Sequence, residues 1–241
     1  MENNKYTAPV FLKFGEEQYM KDLLENGNIY CGNLHWFANQ VDEVGRCDSY
    51  ENIFEIKNAP DLRIAVIDKT TNKIKEILDS EFHLVKKLRD DDLAGNIYCL
   101  YTFDFVGTQR CIPIEVDTDK LGEYCVVITD VNKLQERIFN KLKSLERFNT
   151  SGFVKYTDLS TYEGKRNPFQ KDLKFKNQHE YRFYIHNPNN EAFTFKIDNI
   201  EDIAFIIKTS ELSTCCLITY DKTERVVGRI PKEIQSLLNN L

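Results

Sequence analysis

The sequence predicts an α+β fold, a split or curved, mostly antiparallel sheet with flanking helices in a single domain over 1–241. Three observations carry this. Short strand-like runs outnumber helical ones, and they do not alternate regularly with helices, so a parallel βαβ sheet is not expected. Phe and Tyr number 16 and 12 beside one Trp, a bias toward strands. The 241 residues, 41% of them hydrophobic, are enough to bury a sizeable core.

Taken in order, YTAPVFLKF (Tyr6 to Phe14) reads as a first strand. GEEQYMKDLLENG is a short helix with Tyr19, Met20, Leu23 and Leu24 as its apolar stripe, acidic residues in its first turn and Gly27 as its stop. NIYCG is a second strand, NLHWFAN a turn and short helix, and QVDEVGRCDSYEN a polar surface loop. ENIFEIK and DLRIAVIDK read as strands. KIKEILDSEFHLVKKL fits helix and strand periods alike, so both remain open for 74–88. RDDDLAG is a loop marking a boundary between halves of the domain, and NIYCLYTFDF a buried strand.

GEYCVVITD is a strand ending on Asp130, a helix N-cap. VNKLQERIFNKLKSLERF is the clearest helix, with Val131, Leu134, Ile138, Leu142 and Leu145 at spacings of three and four. FVKYTDL is a short strand and STYEGKRNP a loop. NPNN turns the strand ending at His186 into EAFTFKI, which predicts a hairpin. IEDIAFIIKTS, CCLITYD and a terminal helix IPKEIQSLLNNL complete the chain.

The net charge of −6 argues against coating by nucleic acid but leaves room for a local basic site. Seven cysteines without a CxxC pair point to reduced thiols and, with no secretory signal at the N-terminus, to a cytoplasmic protein. No apolar run is long enough to cross a bilayer, so no membrane partner is expected. GxGxxG, GxxxxGK[ST], HExxH and GxSxG are absent, and the four scattered histidines give no metal-ligand spacing. No metal is expected.

The most informative stretch is KNQHEYRFYIH. His179, Tyr181, Phe183 and Ile185 alternate with Gln178, Glu180, Arg182 and Tyr184, the period of a half-buried strand. The polar row reads in two ways: a solvated strand face with a charge network, or the lining of a site. Just before it, KRNPFQKDLKFK carries Lys165, Arg166, Lys171, Lys174 and Lys176 with Phe169 and Phe175 interleaved. Basic residues among aromatics suit phosphate contacts with base stacking; the other reading is a solvated loop over two tucked phenylalanines. Trp36 with His35 and Phe37 reads foremost as a core plug, with a stacking platform as the second reading. Asp48 and Glu51 read as a mobile acidic loop, or else as a polar anchor beside the site.

Two separated segments look alike to one family. FLKFGEEQYMKDLLENGNIYCGNLHWFANQ resembles the opening of a prokaryotic family of unknown function: a Lys-and-aromatic strand, a helix ending Asn-Gly, a strand, then an aromatic before Asn. FQKDLKFKNQHEYRF resembles that family's closing strand with Glu, an aromatic and Arg. More distantly, the order is similar to the ADP-ribosyltransferase fold, in which a split antiparallel sheet cradles NAD and a late strand carries Gln-x-Glu, here Gln178-His179-Glu180. The resemblance implies NAD as substrate. It makes Glu180 the carboxylate that faces the oxocarbenium-like transition state, and Gln178 the group that orients the attacking one. It implies Lys13, where Arg or His is more usual, as an NAD contact, with Arg182 beside it and Tyr30, Trp36 or Phe37 as the ring stacked on nicotinamide.

Two functions follow as expectations. The first is an ADP-ribosyltransferase-like protein or NAD glycohydrolase, which the resemblance links to toxins and phage–host conflict. The second is a non-catalytic module that binds a nucleotide, nucleic acid or protein in a phage-defence system, which Lys13 in place of the usual residue favours.

Overall fold

The computed structural model describes residues 5–7, 10–39, 48–59, 63–79, 84–88, 94–102, 104–106, 111–113, 121–189, 191–214 and 216–218. The expected terminal helix over 230–241 and most of RDDDLAG lie outside them. The architecture is mixed α and β, mostly antiparallel sheet with few helices.

Eight strands form the central sheet. They are β1 (Phe11–Gly15), β2 (Asn28–Asn33), β3 (Gly95–Tyr101), β4 (Tyr124–Ile128), β5 (Asn149–Phe153), β6 (Glu180–His186), β7 (Phe193–Lys196) and β8 (Ala204–Lys208). The main path runs β5-β6-β3-β1-β4-β8, and β2 with β7 branches from β3. The fork is visible in the register. One edge of β3 pairs along its length with β6, while the other meets β1 only at Leu12↔Tyr101 and β2 only at Gly32↔Ile97 and Asn33↔Asn96.

One face of this sheet carries the principal core. Phe11, Tyr98, Leu100, Val126, Ile128, Tyr181, Phe183 and Ile185 pack there under two helices, α1 (Glu17–Asn26) and α3 (Val131–Ser144). The expected stripes hold in part: Tyr19 and Leu145, 61% and 42% exposed, fall outside them. Met20, Leu23 and Leu24 are buried on α1, and Leu134, Ile138 and Leu142 on α3. Asp130 caps α3, its carboxylate accepting from the Lys133 N–H at 3.0 Å. Gly27 ends α1 at φ 60°, where an added Cβ would lie 1.9 Å from the Asp198 carbonyl oxygen. Only glycine fits that turn.

The opposite face is built differently. It bears one small apolar cluster of Val10, Leu12, Cys125, Val127 and Leu212, and another of Leu34, Ile97 and Tyr184. A third cluster, Ile53, Ile56 and Leu159, lies in the segments around 48–59 and 154–165.

Two expectations need correction. EAFTFKI does not form a hairpin with its predecessor: β7 pairs with β2, Phe193↔Cys31 through Lys196↔Asn28. The first strand is two, Lys5–Thr7 and β1. The ambiguous 74–88 region is strand in both described parts, Lys73–Asp79 and Leu84–Leu88. The short helix at NLHWFAN is present as α2, Leu34–Asn39.

Candidate functional site

The polar row of the late strand is neither wet nor wholly on the strand. Asp172 caps a 3-10 turn, Leu173–Gln178, by accepting from the Lys174 N–H at 3.0 Å. His179 then takes a left-handed φ of 41°, and β6 begins only at Glu180. Gln178 and His179 therefore lie outside the alternation. From Glu180 onward both faces are covered: Tyr181, Phe183 and Ile185 face the core, and Glu180, Arg182 and Tyr184 are buried on the other side.

What covers Glu180 and Arg182 is charge. Arg182, 0% exposed, donates from Nε to Glu180 Oε2 at 2.5 Å and from both terminal nitrogens to Glu51, at 2.9 and 2.6 Å. It also donates to the Pro168 carbonyl at 2.8 Å. Lys171 Nζ donates to Glu180 Oε1 at 2.8 Å and to Gln178 Oε1 at 2.6 Å, and lies 3.3 Å from Glu51 Oε1. The Glu180 backbone N–H donates to Tyr156 Oη at 2.9 Å. Two carboxylates and two cations are thus removed from water together and satisfied by one another.

The electrostatics follow from that closure. Burial pushes the Glu180 carboxyl up, but the charges and hydrogen bonds of Arg182 and Lys171 outweigh it and hold it well below the usual range. Glu51 is lowered by the same balance. Burial pulls Lys171 and Arg182 down, and the two glutamates more than reverse this, so both are raised. All four are ionised at neutral pH.

A second buried layer adjoins it. Arg166 donates to the carbonyls of Tyr50, Ile53 and Gln170. Asp48 is fully buried, accepts from the Tyr50 N–H at 2.9 Å, and is raised by burial and then by the Glu51 charge. Its second oxygen and the Arg166 Nε–H have no hydrogen-bond partner among the described residues. The turn at 48–52 is therefore an anchor rather than a mobile acidic loop.

The remaining candidates scatter. Opposed residues share a face, so Leu12, Tyr101 and Glu180 lie on one side and Lys13 leaves β1 on the other. Lys13 reaches into the fork of the sheet, donating to the Cys99 carbonyl at 2.8 Å and sitting 4.6 Å from the centre of the Tyr98 ring. Tyr30 and Trp36 are 63% and 53% exposed, so Trp36 is not the core plug that its neighbours suggest. Phe37 is half-buried beside Leu34 and Ile97. Of the five basic residues expected to meet phosphate, Arg166 and Lys171 are buried and spent on protein groups, a correction to that reading. Lys165, Lys174 and Lys176 remain exposed, the first two over the rings of Phe54 and Phe175. Phe175 is buried and Phe169 half-buried, so both are tucked under the segment.

Sequence reasoning missed Lys171 as the hub, Glu51 as the long-range partner and Tyr156. The Glu180–Arg182 pair is neutral by itself, so no local signal in the sequence points to the second acid and base. Burial raises the thiols of Cys31 and Cys99, the latter to about 12, so neither is a thiolate at neutral pH. Among the described residues no group of three His, Cys, Asp or Glu is placed to hold a metal ion, and no helix is long and apolar enough to cross a membrane. Neither family models, nor curated proteins, nor solved structures yield a match to this chain.

Proposed function

We propose that the chain is a non-catalytic binding module. The supporting observation is the commitment of Glu180. A transferase carboxylate must hold a ribose hydroxyl and face a developing cation. Here one oxygen accepts from Lys171 and the other from Arg182, both buried. Two cations already neutralise the charge that an oxocarbenium-like state would need. Lys13 is on the far side of the sheet and engaged with Cys99 and Tyr98. In this reading the cluster is a fastener that joins residues 48–53, 166–171 and 178–182 and leaves the outer surfaces for recognition.

The NAD reading keeps one specific observation: Lys171 binds both Gln178 and Glu180, so the two residues of Gln-x-Glu converge on a single ammonium. It requires Arg182 and Lys171 to release Glu180 to substrate. One experiment separates the readings: nicotinamide release from NAD by the purified chain beside Glu180→Gln, with an NAD titration of Tm. The binding-module reading expects neither turnover nor an NAD-dependent rise in Tm. Turnover that falls about a hundredfold or more in the variant, the scale of one lost electrostatic stabiliser, would overturn it.

A further inference from the structure

We propose that the free edge of β5 is a docking site for an extended acidic peptide of a partner protein, which adds a strand to the central sheet. This rests on the binding-module reading and names its partner class. The edge is legible in the hydrogen bonds. His186 N–H donates to the Phe148 carbonyl and Val154 N–H to the Glu180 carbonyl, which fixes Thr150 and Gly152 as the residues of β5 bonded to β6. Asn149, Ser151 and Phe153 therefore turn their N–H and C=O groups outward. β5 has no second strand partner among the described residues. Three donors and three acceptors in a row form a template for a further strand of the same sheet.

The side chains supply the rest of the site. Phe148 and Phe153 bracket the strand and are 69% and 53% exposed, and Leu145 is exposed beside them. Phe153 is held edge-on against Tyr181, with ring centroids 5.0 Å apart. Tyr181 is itself fixed by Gln135 and Ser151, at 2.5 and 2.6 Å. The edge is therefore rigid, anchored to the principal core, with aromatic surface for an incoming apolar side chain at each end.

Charge chooses the occupant. Arg147 precedes the strand by two residues and Lys155 follows it by two, and α3 ends in Lys141 and Lys143; Glu146 is the one acid between α3 and β5. A second copy pairing antiparallel about Ser151 would set Arg147 of one chain across from Lys155 of the other, twice, and like charges directly opposed are destabilising. A peptide with β-branched or aromatic residues at its centre and Asp or Glu at both ends meets the same edge without that conflict.

The test is selection of random heptapeptides on the purified full chain, followed by amide hydrogen exchange with the selected peptides. Acidic-flanked peptides should be enriched and should slow exchange at Asn149, Ser151 and Phe153 but not further at Thr150 or Gly152. Ser151→Pro removes an outward N–H and no ladder bond to β6, along with the hydroxyl bonded to Tyr181, and should weaken binding about tenfold or more with a modest fall in Tm; Ser151→Ala, which loses the hydroxyl alone, should share the fall in Tm and keep the binding. The exchange pattern in the parent stands whether or not the proline variant folds. Peptides that leave those three amides unprotected, basic-flanked peptides bound as well as acidic ones, or a dimer in sedimentation that protects the same amides would each overturn the proposal. Nicotinamide release lost in Glu180→Gln would instead overturn the binding-module reading, whatever the edge does.

Discussion

Replacing Arg182 by Met is the sharpest test of the buried cluster. The side chains are similar in length, so little space opens, but four hydrogen bonds vanish: one to Glu180, two to Glu51 and one to Pro168. Two buried carboxylates are left with Lys171 alone. Removing one partner of a buried ion pair costs about 3–5 kcal/mol. For a chain of this size each kcal/mol moves Tm by about 2–4 °C, so the expected fall is about 6–20 °C. The sign of the pH dependence is set by the glutamates. Their folded pKa values lie below the ordinary carboxylate value, so in the parent their contribution is full above about pH 4.3 and is lost as pH falls toward the folded value. In the variant one carboxyl takes up a proton at higher pH, so the gap between variant and parent narrows on acidification. Urea unfolding followed by circular dichroism at pH 7 and pH 4 reads both effects, provided that m is unchanged. A loss under about 1 kcal/mol, the range of exposed pairs, or a loss equal at the two pH values, would refute the account.

Asp48→Asn should behave oppositely: the folded pKa of Asp48 is raised, so its contribution is present below the ordinary value and lost as pH rises through the folded one. The amide keeps the acceptor for Tyr50, and the variant should gain on the parent as pH goes from 4 to 8 in the same unfolding assay. Gly27→Ala should cost more than about 1 kcal/mol, because it adds left-handed strain and a contact 1.9 Å from the Asp198 carbonyl; thermal unfolding checks it. Lys13→Met should destabilise by about 1–3 kcal/mol through loss of a charged hydrogen bond and the ring contact, with no change in the exchange rates of the β5 edge.

The sequence made the local elements legible where one period dominated. α3 follows from Leu134, Ile138 and Leu142 with Asp130 before them, because a helix of that length buries one stripe whatever surrounds it. The antiparallel character of the sheet also follows, from short strands without βα alternation. The pairing of β7 does not. NPNN is good turn chemistry, yet Phe193 and Phe195 gain more by joining the core beside Cys31 and Ile29 than by hairpin pairing, and no local signal carries that preference. The site shows the same division. Tyr181, Phe183 and Ile185 were readable as core, whereas Glu180 and Arg182 were readable only as polar. Whether a polar strand face meets water depends on what the chain lays over it. Here that cover comes from Glu51, 131 positions before Arg182, and Lys171, 9 positions before Glu180, a tertiary fact that alternation cannot encode.

That cover also explains why the cluster is charged at all. Glu51, Lys171 and Arg182 belong to three segments that share little apolar contact: Ile53, Ile56 and Leu159 form their own small cluster, separate from those on the sheet. A greasy interface between them would tolerate sliding by one residue. A guanidinium donating to two carboxylates and a carbonyl at once does not, because any slip leaves a buried charge without its partner. Register is what β5 also needs. Gly152 pairs with Arg182, so the fastening of Arg182 sets which residues of β5 turn inward to β6 and which turn outward. On that argument Arg182→Met loosens the outward row of Asn149, Ser151 and Phe153 even in the fraction of molecules that remains folded. Exchange of the Thr150 and Gly152 amides, which bond β5 to β6, should then rise relative to that of Val126, in the centre of β4; uniform acceleration across both strands would mean that the cluster supports global stability alone.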